Sequence, residues 1–307
     1  MRAVRNTERG VEVLDVDDPS EGLTVHIAGS GICGSDLHLL DFGPMPVTLG
    51  HEFAGRLDDG TAVAVEPLLP CGHCERCEQG DYHLCPDVRI IGISADGGMA
   101  EAVAVPERCL VPLAAGVDPV DAAVVEPLAV AVHGLRLAGL EPGARVTVIG
   151  GGSIGLAAVA VARSAGCDVG IVARHPHQQA AAERLGATVG AVEADVVVEA
   201  AGTESALDAA TEAAVPGAAI ALLGTYWDGL RGPGFPFTAK ELRLVGSFAY
   251  CRHGSRRDIG DAAAVLAAEP TIADAMITHR FPLDDAAEAF RVARDRKAGA
   301  IKVVLQP

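Results

Sequence analysis

Cys71, Cys74, Cys77 and Cys85 stand within fifteen residues in the spacing C-x2-C-x2-C-x7-C. Thiolates on so short a loop can converge tetrahedrally on a zinc ion, and four sulfurs close its coordination shell, so the chemistry implied is structural. Disulfide pairing is the competing reading. Clustered cysteines in a chain of 307 residues favour metal over the bridges of a small secreted domain. His73 and His83 lie inside the loop and, with four thiols available, are expected to face solvent.

Two segments upstream, Gly31-Ile32-Cys33-Gly34-Ser35-Asp36-Leu37-His38 and Gly50-His51-Glu52, offer a thiolate, an imidazole and carboxylates from separate loops. Singly each is weak, because a lone cysteine or histidine is more often a core residue than a ligand. Together they could hold a zinc with an open position, which would stabilise an alkoxide or polarise a carbonyl.

Further along, Val146-Thr147-Val148-Ile149 runs into Gly150-Gly151-Gly152-Ser153-Ile154-Gly155 and then an alanine-rich helical stretch. In this strand-turn-helix setting G-x-G-x-x-G is a strong sign of dinucleotide binding. Gly150 makes the tight turn, Gly152 lets backbone approach a pyrophosphate, Gly155 lets helix and strand pack closely, and the helix start at Ser153 and Ile154 offers amides to the phosphates. An NAD-preferring site should carry an acid at the end of the next strand. Here Val169–Val172 ends in Ala173-Arg174-His175, and Asp168 lies at the opposite end. Loss of that acid removes a repulsion, and Arg174 could pair with a 2′-phosphate, so NADP(H) is expected over NAD(H). The bland reading of Arg174 is an exposed surface arginine.

The elements that must position these groups fall into two patterns. Residues 1 to about 130 carry short valine-rich runs broken by Gly, Pro and Asp, such as Val11–Val16, Thr61–Val65 and Ala100–Val105, and read as mostly β. From Arg145 strands and helices alternate: Val146–Ile149, Ile154–Ala165, Val169–Val172, Gln178–Leu185, Val196–Glu199, Ala219–Leu223 and Leu242–Val245, with a Gly/Pro/Trp-rich loop from Gly224 to Pro236. That alternation implies a parallel sheet. Helices near Ile259–Ala268 and Asp284–Asp295 and a final strand Ile301–Leu305 are expected to return to the first domain. The fold class is α/β in two domains, 1–130 with 251–307, and 131–250.

With 24 Lys plus Arg against 41 Asp plus Glu, the net charge of −17 disfavours nucleic acid and anionic lipid and suits a soluble acidic surface. No signal-peptide pattern or long apolar span is seen, so a cytoplasmic location without membrane association is expected.

Taken in order, GICGSD, GHE, the four-cysteine loop and the glycine motif resemble the medium-chain zinc-dependent alcohol and polyol dehydrogenases, in their sorbitol and threonine dehydrogenase-like branch, over nearly the whole chain. The resemblance implies a GroES-like β-rich catalytic domain from both chain ends and a doubly wound Rossmann domain between them. It implies that Cys33 and His51 bind a catalytic zinc, with Glu52 either a ligand or its close neighbour. Val125-Glu126-Pro127-Leu128 is similar to a segment of the polyol branch whose glutamate either ligates the metal or holds its water, which tilts the reading of Glu126 towards polyols. Ser35 and His38 match a hydroxyl-to-histidine proton relay, and Asp36 suits a group that orients a ligand imidazole. Gly202, Gly224, Thr225 and Lys302 match positions along the cofactor, the last near its pyrophosphate.

The implied activity is reversible hydride transfer between a polyol, sugar or aminocyclitol-like alcohol and NADP, with two zinc ions per chain, catalytic and structural, in a homodimer or homotetramer. Two alternatives stand: a dehydrogenase of simple alcohols and aldehydes, and a zinc-stabilised nucleotide-binding protein without turnover. The segments Glu52–Gly60 and Asp41–Pro46 are more compact than in the family, which bears on the substrate pocket.

Overall fold

The computed structural model describes residues 1–227, 229–295 and 297–307; Asp228, within the expected loop 224–236, lies outside the described residues. The chain divides into two compact units, Met1–Glu126 with Arg252–Pro307, and Pro127–Cys251.

A seven-stranded sheet organises the first unit. Its order is Ile277–Pro282, Lys302–Gln306, Leu23–Gly31, Glu52–Arg56, Ala62–Val65 and Leu110–Pro112, with Ala102–Val105 paired to the outer half of Leu23–Gly31. Alternation along the strands explains the layering: Val25 and Ile27 are buried while His26 between them reaches Asp58 at the surface. Val25, Ile27, Phe53, Val63, Val65, Val103 and Val105 form one core. Each such side chain contributes about 1.5–3 kcal/mol on burial. A second core gathers Val4, Ile32, Leu49, Met99, Phe290, Val303 and Leu305, and so ties the amino-terminal strands to the carboxy-terminal helix and strand. Gly31 ends its strand between Val304 and Glu52, its register partners on either side.

The second unit is a six-stranded, wholly parallel sheet in the order Thr188–Val189, Asp168–Val172, Arg145–Ile149, Ala194–Glu199, Ala214–Leu222, Arg243–Gly246. Counted along the chain this is 3-2-1-4-5-6, the doubly wound Rossmann arrangement. Val146, Thr147 and Val148 are all fully buried, as a strand covered on both faces must be. Alanines such as Ala157, Ala158 and Ala162 let the helix Ser153–Ser164 lie close on the sheet.

Several boundaries differ from expectation. The helix expected from Gln178 begins at Pro176, because His175 caps it, Gln178 closes a capping box and proline suits the first turn. A short helix, Gly234–Ala239, begins inside the segment expected to be loop. Helices at Val125–Leu137, Glu204–Ala213 and Thr271–Met276 stand where the sequence pattern placed none. The first of these is a run of Val, Ala and Leu with little polar face, so it lacks the periodicity that announces an amphipathic helix. Among the described residues, no helix is long and apolar enough to cross a membrane.

Candidate functional site

In the first unit, Cys33 caps the short helix Gly34–Leu39, while Glu52 begins the strand Glu52–Arg56 and His51 immediately precedes it. One ligand atom from each of Cys33, His51 and Glu52 lies within 4.8 Å of the others, and the donors are a sulfur, a nitrogen and an oxygen. Asp36, fully buried, positions two of them. Its Oδ2 accepts the Cys33 N–H at 2.9 Å, and its Oδ1 lies 3.3 Å from His51 Nδ1. The second contact directs His51 Nε2 towards the cluster, where Ser35 Oγ stands 3.4 Å away. Burial opposes a charge on His51, but Asp36 and then the Cys33 thiol outweigh it and hold its pKa well above the ordinary range. So negative an environment suits a metal cation in place of that proton.

Ser35 and His38 stand three residues apart on the same helix, hence on one face, with Ser35 against His51 and His38 exposed. Glu126 sits in the first turn of Val125–Leu137 and acts electrostatically on Lys302, but it is not among the atoms gathered within 4.8 Å around Cys33.

Lys302 lies close to this cluster. It is 1% exposed, and its ammonium is occupied by Glu52 Oε2 and, at 3.1 Å, the carbonyl of Ile32. The ammonium thus sits beside the Cys33–His51–Glu52 cluster, paired with its carboxylate. Burial would lower its pKa, but Glu52 and then Cys33 raise it. The strand between the two partners makes the pair possible: a Cβ on Gly31 would fall 2.4 Å from Glu52 Oε2 and 3.1 Å from Lys302 Cδ. Glu52 thereby keeps one oxygen, Oε1, without a hydrogen-bond partner.

All four cysteines of the loop are free thiols with ligand atoms within 4.8 Å of one another. Cys74 Sγ lies 3.5 Å and Cys71 Sγ 3.9 Å from Cys77 Sγ. A disulfide needs about 2.05 Å, whereas the edge of a zinc tetrahedron with 2.3 Å bonds is about 3.8 Å. Hydrogen bonding from the backbone of His73 lowers the Cys71 pKa to about 6, while burial lifts that of Cys77 to about 12. Four sulfurs crowded together cannot all ionise without a cation among them. His73 is exposed as expected, but His83 is buried at 6% exposure, because the short turn Tyr82–Leu84 packs it inward.

At the glycine turn of the second unit each glycine has its own physical reason. Gly150 has φ +110°, and a Cβ on Gly155 would strike the Gly150 carbonyl at 1.8 Å. A Cβ on Gly152 would meet nothing within 4 Å, so what it leaves room for lies outside the chain. Ser153 Oγ, at the helix start beside Ile154, is buried without a partner. Arg174 is exposed beyond the end of Asp168–Val172, and the half-buried His175 stacks on His177 at 5.5 Å. Gly202, with φ +65°, packs under Thr225: a Cβ there would lie 2.5 Å from the Thr225 carbonyl. A Cβ on Gly224 would lie 2.3 Å from Gly202 N. These segments meet where the first and fourth strands part, the switch point at which doubly wound sheets bind ligands.

Two contributors escaped the sequence reading. Gly31 looked like part of a loop motif rather than a passage for two charged side chains. Glu199, fully buried at the end of Ala194–Glu199, accepts the Ala201 and Gly202 N–H groups at 2.8 Å each. An acid closing a run of valines was its available signal.

Comparison with known proteins places these sites in context. Residues 19–115 match the alcohol dehydrogenase GroES-like domain family. The L-galactonate-5-dehydrogenase of Escherichia coli K12 is 31% identical, the alignment covering 87% of this chain and 86% of the relative. The galactitol 1-phosphate 5-dehydrogenase of the same organism is also 31% identical, over 100% of both chains. Among solved structures, a zinc-binding dehydrogenase from Sinorhizobium meliloti 1021 bound to NADP superposes with a TM-score of 0.88 at 33% identity, covering 100% of this chain and 99% of that one.

Proposed function

Because the chain belongs to the zinc-type medium-chain alcohol and polyol dehydrogenases, and so is an oxidoreductase, we propose that it interconverts a polyol, sugar or aminocyclitol-like alcohol and its carbonyl form with NADP(H). The observation that carries this reading is the convergence of Cys33, His51 and Glu52 beside Ser35, with Asp36 behind them.

Cys33, His51 and the unpartnered Oε1 of Glu52 would hold the catalytic zinc, a set of three protein ligands that leaves a position open. Zinc at that point supplies a Lewis acid for the substrate oxygen. Glu126 lies outside this set and is better suited to hold water or a substrate hydroxyl near Lys302 than to ligate directly. Asp36 holds the His51 ring so that Nε2 faces the site, and its bond to the Cys33 N–H fixes the thiolate. Ser35 accepts or donates the substrate hydroxyl proton, and His38, on the same helical face and exposed, passes it to water. Cys71, Cys74, Cys77 and Cys85 would hold the second, structural zinc.

The glycine turn, the free amides at Ser153 and Ile154, and the loops at Gly202, Gly224 and Thr225 would hold the cofactor, which supplies the hydride acceptor. Arg174, with His175 beside it and no acid at the strand end, favours the 2′-phosphate. The bound NADP of the Sinorhizobium meliloti relative supports that choice. A homodimer or homotetramer in the cytoplasm completes the proposal.

Titration of the purified protein with NADPH and NADH by nicotinamide fluorescence, alongside a zinc assay, tests it. Tighter NADPH binding with two zinc ions per chain is expected. NADH preference would overturn the role of Arg174, and a single zinc after metal-replete purification would overturn the catalytic centre.

A further inference from the structure

Glu199 is the only acid in the strand Ala194–Glu199 that is buried; Asp195, near its other end, is exposed and paired with Arg145. Its backbone carbonyl accepts the N–H groups of Leu223 and Gly224 at 2.8 and 2.9 Å, while its carboxylate Oε1 accepts those of Ala201 and Gly202. One residue thus ties down both loops that leave the central strands at the switch point. Gly224 is what allows the second loop to pass over the carboxylate, since a Cβ there would lie 2.6 Å from Glu199 Oε2. Oε2 itself is buried, and the buried hydroxyl of Tyr226, two residues further along that loop, stands beside this carboxylate. Burial and the nearby Glu199 carboxylate raise the Tyr226 pKa, so the hydroxyl keeps its proton and remains a donor.

We infer that Glu199 is a positioning residue of the cofactor site: its carboxylate holds the loops bearing Gly202, Gly224 and Thr225 in the shape that binds the dinucleotide, and so sets cofactor affinity without touching the reacting atoms. The inference rests on the reading that these loops carry the cofactor. What matters is an acceptor oxygen at a fixed distance, not a negative charge. Glutamine keeps that oxygen. Aspartate keeps the charge but withdraws the acceptor by about one carbon–carbon bond, 1.5 Å, which breaks both 2.8 Å contacts. A loop that is correctly ordered a tenth of the time binds about tenfold more weakly.

The experiment compares Glu199→Gln and Glu199→Asp in zinc-replete enzyme. NADPH dissociation constants are measured by fluorescence, and hydrogen exchange over residues 200–203 is measured without cofactor. Glu199→Gln is expected to stay within about threefold of wild type in both readouts. Glu199→Asp is expected to weaken NADPH about tenfold or more and to speed exchange at Ala201 and Gly202, while kcat at saturating cofactor changes by less than about threefold. Equal affinities for the two variants, or a weaker Glu199→Gln, would overturn the inference. Should Glu199→Asp not fold, Gly224→Ala pushes the loop off the carboxylate instead, and unchanged NADPH binding there would count against the idea equally. If wild type binds neither NADPH nor NADH, the proposed function fails, and exchange at Ala201 and Gly202 still decides whether Glu199 holds the loop.

Discussion

Replacing Lys302 with methionine isolates the buried charge at the heart of the candidate site. Lys302 and Glu52 are 1% and 0% exposed, and methionine keeps most of the lysine's apolar length. In protein stripped of metal, Glu52 is left buried with no cation, and removing one partner of such a pair costs about 3–5 kcal/mol. At about 2–4 °C per kcal/mol for a unit of this size, the melting temperature should fall by about 6–20 °C. Zinc should restore part of the loss, because it gives the Glu52 carboxylate another positive partner, so the zinc-induced stabilisation grows in the variant. The double variant Glu52→Gln with Lys302→Met should be more stable than Lys302→Met alone. Since the folded pKa of Lys302 is raised, its stabilisation is full below the unfolded value of about 10.4 and is lost only as pH rises through the higher folded one. The lysine's own contribution should therefore be constant from about pH 6 to 9. Calorimetry across that range is the assay. A metal-free loss below about 1 kcal/mol, or no recovery in the double variant, would refute the reasoning.

Other perturbations test the neighbouring sites. Asp36→Asn should lower affinity for the catalytic zinc by about 10- to 100-fold, while metal analysis still finds the structural ion, since only the first loses its orienting carboxylate. Arg174→Ala should weaken NADPH binding by about ten- to a hundredfold and leave NADH nearly unchanged in paired fluorescence titrations; equal losses for both cofactors would remove Arg174 from the 2′-phosphate. In metal-stripped protein at pH 7, iodoacetamide followed by mass spectrometry should label Cys71 well before Cys77, because a pKa of about 6 leaves the first mostly thiolate and one of about 12 leaves the second protonated. Restoring zinc should protect both.

The fold and the metal loops were legible because each leaves a local mark: spaced cysteines, a glycine turn between strand and helix, and valine runs alternating with alanine-rich helices. Cys33, His51 and Glu52 could be named from sequence, but their approach depends on a strand pairing that no local pattern records. Lys302 shows the limit most plainly. Resemblance alone sets Lys302 along the cofactor, and it is the register of Lys302–Gln306 against Leu23–Gly31 that carries it inward to Glu52. Glu199 was hidden for a similar reason, since its partners are backbone amides that any sequence would supply. The burial of His83 follows from the packing of one short turn and has no sequence signature.

Glu52 and Lys302 are separated by 250 residues, and this has a consequence for how the protein is made. At about 5–20 residues per second, a ribosome needs roughly 12–50 s to deliver the lysine after the glutamate. Throughout that interval Leu23–Gly31 lacks the neighbour that Lys302–Gln306 provides, leaving its backbone groups on that side open to other chains. The contiguous segment Pro127–Cys251 can complete its own sheet in the meantime. A nascent chain caught in this window would be folded in the middle and unfinished at its start, which makes the first strands, rather than the dinucleotide-binding sheet, the part most in need of a chaperone.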